Sequence, residues 1–107
     1  PMERSPQEPY ATRAAVFKAL GHPVRLLMVD ALAKGELCVC DLTRLAGLDV
    51  STVSKHLAVL REAGVVDSRK EGANVFYRLT LSCVPGFISC VDAHIKQAAL
   101  AQMALLA

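Results

Sequence analysis

At 107 residues, with 12 Lys and Arg against 10 Asp and Glu, the chain is of one-domain size and carries a net charge of only +2. So mild a basicity, with a pI near 8.6, does not by itself argue for a nucleic-acid partner. The composition, 53% hydrophobic and 21% charged, is rich enough for a core and leaves apolar surface for a partner, because so short a chain cannot hide everything.

Residues 1–9 carry three prolines and read as a flexible N-terminal arm; residues 10–107 form the folded domain. The opening PMERSPQEPY lacks the apolar segment of a signal peptide. No run approaches the roughly 20 apolar residues of a membrane span. A cytoplasmic protein with reduced thiols is therefore expected, and its four cysteines read as ligands or redox sensors and not as a disulfide frame. A first helix is expected over Tyr10–Leu20, with Ala14, Val16, Phe17 and Leu20 apolar, ended by Gly21. Pro23 suits the first position of a second helix, in which Val24, Leu27, Met28, Ala31 and Leu32 follow helical spacing up to Gly35. The stretch ELCVCDLTRLAG (36–47) reads as a short strand running into a third helix, stopped at Gly47.

The next segment, DVSTVSKHLAVLREAG (49–64), organises the rest. Val53, Leu57 and Leu60 recur at i, i+4 and i+7 as a buried stripe. Ser51 is expected as the N-cap and Gly64 as the left-handed stop. Thr52, Lys55 and His56 remain on other faces, short or cationic, able to reach phosphates and base edges. Two short helices about a tight turn, the second with a polar front, make a helix-turn-helix. The period then changes to two. Val65–Arg69 and Asn74–Leu79 are expected strands joined by Lys70-Glu71-Gly72-Ala73, a hairpin displaying Arg69, Lys70 and Arg78 beside the helix. Between Lys55 and Arg78 there are five Lys or Arg (55, 61, 69, 70, 78) and three acids (62, 67, 71), so this segment holds an excess equal to the whole net charge. A final helix, 84–106, carries Ile88, Val91, Ile95 and Ala98, widened by Leu100, Met103, Leu105 and Leu106. So apolar a terminal helix implies a covering chain, and a symmetric homodimer is the default.

Taken together, ALGHPVRLLMVDAL (19–32), ELCVCDL (36–42), STVSKHLAVLREAGVV (51–66) and RKEGANVFYRL (69–79) resemble the ArsR/SmtB family of winged-helix repressors, in the family's order and spacing. The resemblance implies a mainly α fold with a β-hairpin wing (α+β), a winged helix-turn-helix dimerising through terminal helices. It implies a double-stranded DNA operator as partner, with Ser51, Thr52, Ser54, Lys55 and His56 on the recognition helix. It also implies release by an effector ion. The ELCVCDL block is similar to the arsenic- and antimony-responsive branch, which would make Cys38 and Cys40 the thiolates for As(III) or Sb(III).

A Cys-x-Cys pair inside a regular helix cannot chelate, because i and i+2 face nearly opposite ways. The pair has to straddle a helix start: with Cys38 as N-cap, Cys40 falls at N2 and Asp41 at N3, and the helix N-terminus favours the thiolate. The arsenic branch commonly has a third cysteine where this chain has Thr43, whose hydroxyl poorly replaces a soft sulfur. Cys83 and Cys90 are the other thiols open to completing a metal site; on one continuous helix they would stand ~10 Å apart along the axis. Asp92 and His94 match the start of the family's terminal-helix site, but Leu105 stands where a second His is expected, so both read as solvated residues. An enzyme is not expected. The alternatives to metalloid release are a thiol redox or reactive-sulfur sensor on the same scaffold, or a small dithiol enzyme.

Overall fold

A computed structural model describes residues 5–106. Part of the expected arm, residues 1–4, lies outside the described residues. Its remainder includes a 3-10 turn, Glu8–Tyr10, so the first regular helix begins one residue later than expected: α1 is Ala11–Leu20. α2 is Pro23–Leu32, with Pro23 at its first position and the His22 ring accepting from the Val24 N–H. β1 (Leu37–Cys38) runs into α3 (Val39–Ala46), which stops at left-handed Gly47 (φ 67°). α4 is Val50–Glu62. β2 (Val66–Glu71) and β3 (Asn74–Leu79) form the hairpin, and α5 is Val84–Leu106.

Two expectations are corrected. The cap of α4 is Asp49, not Ser51: its carboxylate accepts from the Thr52 backbone N–H and from the Thr52 hydroxyl. A carboxylate at the N-cap satisfies an orphan donor and also meets the positive end of the helix dipole. The wing loop has two residues, not four, because Glu71 pairs with Asn74; Gly72 takes φ 60°, which a tight turn requires at its first position. The expected final helix runs unbroken through Pro85 and Gly86, since proline in the first turn gives up only an N–H that has no partner there.

The short opening strand is not isolated. β1 pairs antiparallel with β3, giving a three-stranded sheet of order β1-β3-β2, with Leu37 opposite Tyr77 and Cys38 opposite Phe76. The core lies between this sheet and α1–α4. Met28, Val29, Leu42, Val53, Leu57, Leu60, Val65 and Val84 are fully buried, each contributing about 1.5–3 kcal/mol of hydrophobic stabilisation. The i, i+4, i+7 stripe of α4 is thus the one that packs. α5 behaves differently: Val84 is its only buried residue, and Val91, Ile95, Leu100, Met103, Leu105 and Leu106 are all at least half exposed. The radius of gyration, 17.4 Å, exceeds the ~13 Å of a compact chain this long, as expected when a helix projects from its own core. Among the described residues no helix is long and apolar enough to cross a membrane.

Candidate nucleic-acid interface and thiol site

α3 and α4 are separated only by Gly47, Leu48 and Asp49, and α4 lies with its apolar stripe inward. Ser51, Ser54 and Lys55 are exposed on its other faces, and Lys55 makes no ion pair among the described residues. Thr52 is half-buried, its hydroxyl spent on the Asp49 cap. His56 is turned inward: half-buried, its Nδ1 stands 3.1 Å from Nη1 of Arg25, and its ring lies 4.4 Å from that of His22. Of the five helix positions read from the sequence, the structure leaves three open toward solvent.

The wing cations divide in the same way. Strand alternation places Asp67, Arg69 and Glu71 on one face of β2, and Ser68 and Lys70 on the face shared with buried Val66. Arg69 is held by the Glu36 and Glu71 carboxylates and lies over the Phe76 ring, with its guanidinium 4.6 Å from the centroid. The Glu36 hydrogen bond raises the Arg69 pKa further above its ordinary value, and the same bond holds the Glu36 carboxyl below the usual carboxylate range. Arg78 pairs with Asp67 at 3.3 Å. Lys70 is exposed and makes no ion pair among the described residues. Arg69 and Arg78 therefore bring their own counter-charges to any contact, whereas Lys55 and Lys70 do not.

Cys38 is the N-cap of α3, its Sγ accepting from the Asp41 N–H at 3.2 Å; Cys40 and Asp41 occupy the first turn. The two cysteines are joined as a disulfide, with Cα atoms 5.2 Å apart. Among the described residues, Cys38, Cys40 and Asp41 are the one group of three whose ligand atoms lie within 4.8 Å of one another. Cys83 and Cys90 stand apart from it, exposed and free, Cys83 in the turn just before α5 and Cys90 in the helix's first half. The Thr43 hydroxyl donates to the Val39 carbonyl at 2.7 Å and so adds nothing to the cluster. Asp92 and His94 are exposed. A cavity of about 330 Å³ opens beside the pair, lined by Cys38, Cys40, Val50 and Ser54 of α4, and Ala73 and Asn74 of the wing. The thiol site therefore borders both α4 and the hairpin. Sequence reasoning missed this adjacency, and it missed Arg25, because 31 residues separate Arg25 from His56 and no local spacing signals their meeting.

A helix-turn-helix backed by a β-hairpin defines a winged-helix regulator. The family model of the bacterial regulatory protein arsR family matches residues 22–68. The chain is 42% identical over 80 residues to the biofilm growth-associated repressor of Xylella fastidiosa, covering 74% of this chain and 70% of that one. It is 43% identical over 86 residues to the arsenic resistance transcriptional regulator ArsR1 of Pseudomonas putida, covering 79% and 64%. Among solved structures it superposes with a TM-score of 0.76 at 28% identity, over 92% of this chain and 94% of that one, on the homodimeric winged helix-turn-helix DNA-binding domain of a possible ArsR-family regulator from Mycobacterium bovis. The chain belongs to the ArsR/SmtB family of transcriptional regulators. Its fold and relatives are those of regulators, not of enzymes.

Proposed function

We propose that the protein is a homodimeric repressor that binds double-stranded DNA through α4 and the wing, and is released by a thiophilic ion, arsenite or antimonite, taken by Cys38 and Cys40. The observation that carries this reading is the position of the Cys38–Cys40 pair. Its cavity wall is shared with Ser54 of the recognition helix and Asn74 of the wing, so a change at the sulfurs displaces atoms that face DNA. In the reduced state the pair offers two soft donors at a helix N-terminus, where the thiolate is favoured, and the Asp41 carboxylate lies alongside. Two thiolates suit a soft ion, and among the described residues no third cysteine joins the cluster. The exposed stripe of α5 and the exposed Phe17 ring of α1, which stands 6.1 Å from Phe87, supply the apolar surface that a second copy covers. Dimerisation doubles the number of unpaired cations set against phosphates.

The disulfide favours a second reading, a redox switch at the same place. Closing it removes two protons and two electrons from the dithiol, to be accepted by a two-electron oxidant such as a peroxide. Operator binding measured in reducing buffer, with and without arsenite, separates the two. Release by arsenite with both thiols consumed supports the ion. Release only on oxidation supports the switch. Indifference to both overturns the sensing role of the pair.

A further inference from the structure

Arg25 ties three helices together. Its Nε–H donates to the Ala19 carbonyl and Nη2–H to the Lys18 carbonyl at 3.3 Å, both in the last turn of α1; its Nη1–H reaches His56 Nδ1 on α4 at 3.1 Å. A guanidinium has only donors, so this contact requires a lone pair on His56 Nδ1. The ring must then be neutral, with its proton on Nε2. Protonation would set N–H against N–H and cation against cation at the same distance. The second ring makes the junction less tolerant still. His22 lies 4.4 Å from His56, and its Nδ1 is already occupied by the Val24 N–H at 3.1 Å as the cap of α2. Neither ring has a carboxylate partner among the described residues. The charged side chains around Arg25 in the adjoining cavity are Lys18 of α1 and Glu62 of α4; Lys55, next to His56, points to solvent.

We propose that Arg25 and His56 are positioning residues for the recognition helix, a lock held only by the neutral His56 ring, so that acidification weakens operator binding. This rests on the DNA-binding reading above. Burial holds the His56 imidazole below its ordinary value, and the charges of His22 and Arg25 act in the same direction. A group depressed in this way contributes stability in full above its unfolded value of 6.5, and loses it as the pH falls through the folded value. The lock is thus closed near neutrality and opens under mild acid.

The test has one arm without DNA and one with it. In the free protein, the His56 ring-proton titration should fall below 6.5 and move back up in Arg25→Ala. An ordinary or raised value, or one indifferent to Arg25, overturns the lock. With DNA, Arg25→Ala should weaken operator binding roughly tenfold at about pH 7.5. Arg25→Lys should do the same, because a single ammonium cannot span three acceptors on two helices. His56→Asn keeps an acceptor near the place of Nδ1 and cannot be protonated. Between about pH 7.5 and pH 5.5 it should lose a smaller fraction of its own operator affinity than wild type loses. Equal acid sensitivity in wild type and His56→Asn overturns the proposal, as does wild-type affinity that rises in acid. A wild type that binds no operator at any pH defeats the DNA reading instead, and the titration still decides the lock.

Discussion

Arg69 grips the Glu36 carboxylate across 33 residues of chain, its Nε donating to Oε1 at 3.0 Å and to Oε2 at 3.1 Å, while Nη1 donates to Glu71 at 2.7 Å. The guanidinium is a strut between the approach to β1 and the wing, already neutralised by two carboxylates. Arg69→Ala should lower the Tm and leave the salt dependence of DNA binding almost unchanged. A full unit of slope lost on that substitution would restore Arg69 to the phosphate-contacting set.

The same strut has an acid limit. Glu36 is held below its ordinary value of 4.5 chiefly by the Arg69 hydrogen bond, so its contribution to stability is complete above 4.5 and fades as the pH falls through the folded value. Glu36→Gln should flatten the stability curve in that window, meeting wild type at its acid end and falling below it at neutral pH by a small margin, because both partners are substantially exposed. Thermal melts of both proteins at several acidic pH values check it; identical curves would show the pair to be energetically idle.

Lys55 and Lys70 should behave in the opposite way. Each is exposed and without an ion-pair partner among the described residues, so each releases counterions when it meets a phosphate. Lys55→Ala and Lys70→Ala should each reduce the slope of log K against log salt by about one, with similar losses across DNA sequences and no change in Tm. If both slopes equal that of wild type, the DNA-facing surface lies elsewhere.

Whatever depends on local period and punctuation was legible in the sequence. The stripe Val53, Leu57, Leu60 buries as its spacing requires, Gly47 stops α3, and Cys38 caps it. Contacts made at long range were not. Arg69, Arg78 and His56 read as free polar residues because Glu36, Asp67 and Arg25, which engage them, lie 33, 11 and 31 positions away. The Ser51 assignment failed through competition: Asp49, two residues earlier, offers a charged cap and starts the helix sooner. Likewise, no local spacing says where Cys83, in the turn before α5, and Cys90, within it, lie relative to Cys38, and the fold brings neither into its cluster.

Ile95 is 59% exposed on a helix whose apolar stripe, beyond the core-packed Ile88, is left at least half exposed at Val91, Ile95, Leu100 and Met103. In a dimer joined through α5, Ile95→Glu would bury a carboxylate without a partner and cost several kcal/mol of association. Sedimentation should show a monomer at concentrations where wild type is dimeric, with unchanged helix content. A dimer of unchanged strength places the interface on another face.

The cysteine pair can be tested without disturbing the helix it caps. Cys38 Sγ accepts from the Asp41 N–H, and serine, a preferred N-cap, offers an oxygen for the same bond. Cys40 is exposed, so its replacement opens no cavity. Cys38→Ser with Cys40→Ser should therefore keep the fold and operator affinity while removing both soft donors. Effector and DNA are linked reciprocally: an ion that prefers the DNA-free form weakens DNA binding by the same coupling, typically ~1–3 kcal/mol. The double variant should lose that coupling and stay on the operator at arsenite concentrations that release wild type. Cys38→Ala with Cys40→Ala, which also drops the cap, should in addition lose about 1 kcal/mol of stability. Cys83→Ser and Cys90→Ser should leave the arsenite response intact, because neither thiol joins the Cys38, Cys40, Asp41 cluster. A lowered arsenite affinity in either would mean that the second protomer brings a third sulfur to the pair. Release of the double serine variant by arsenite would move the sensing site away from α3 altogether.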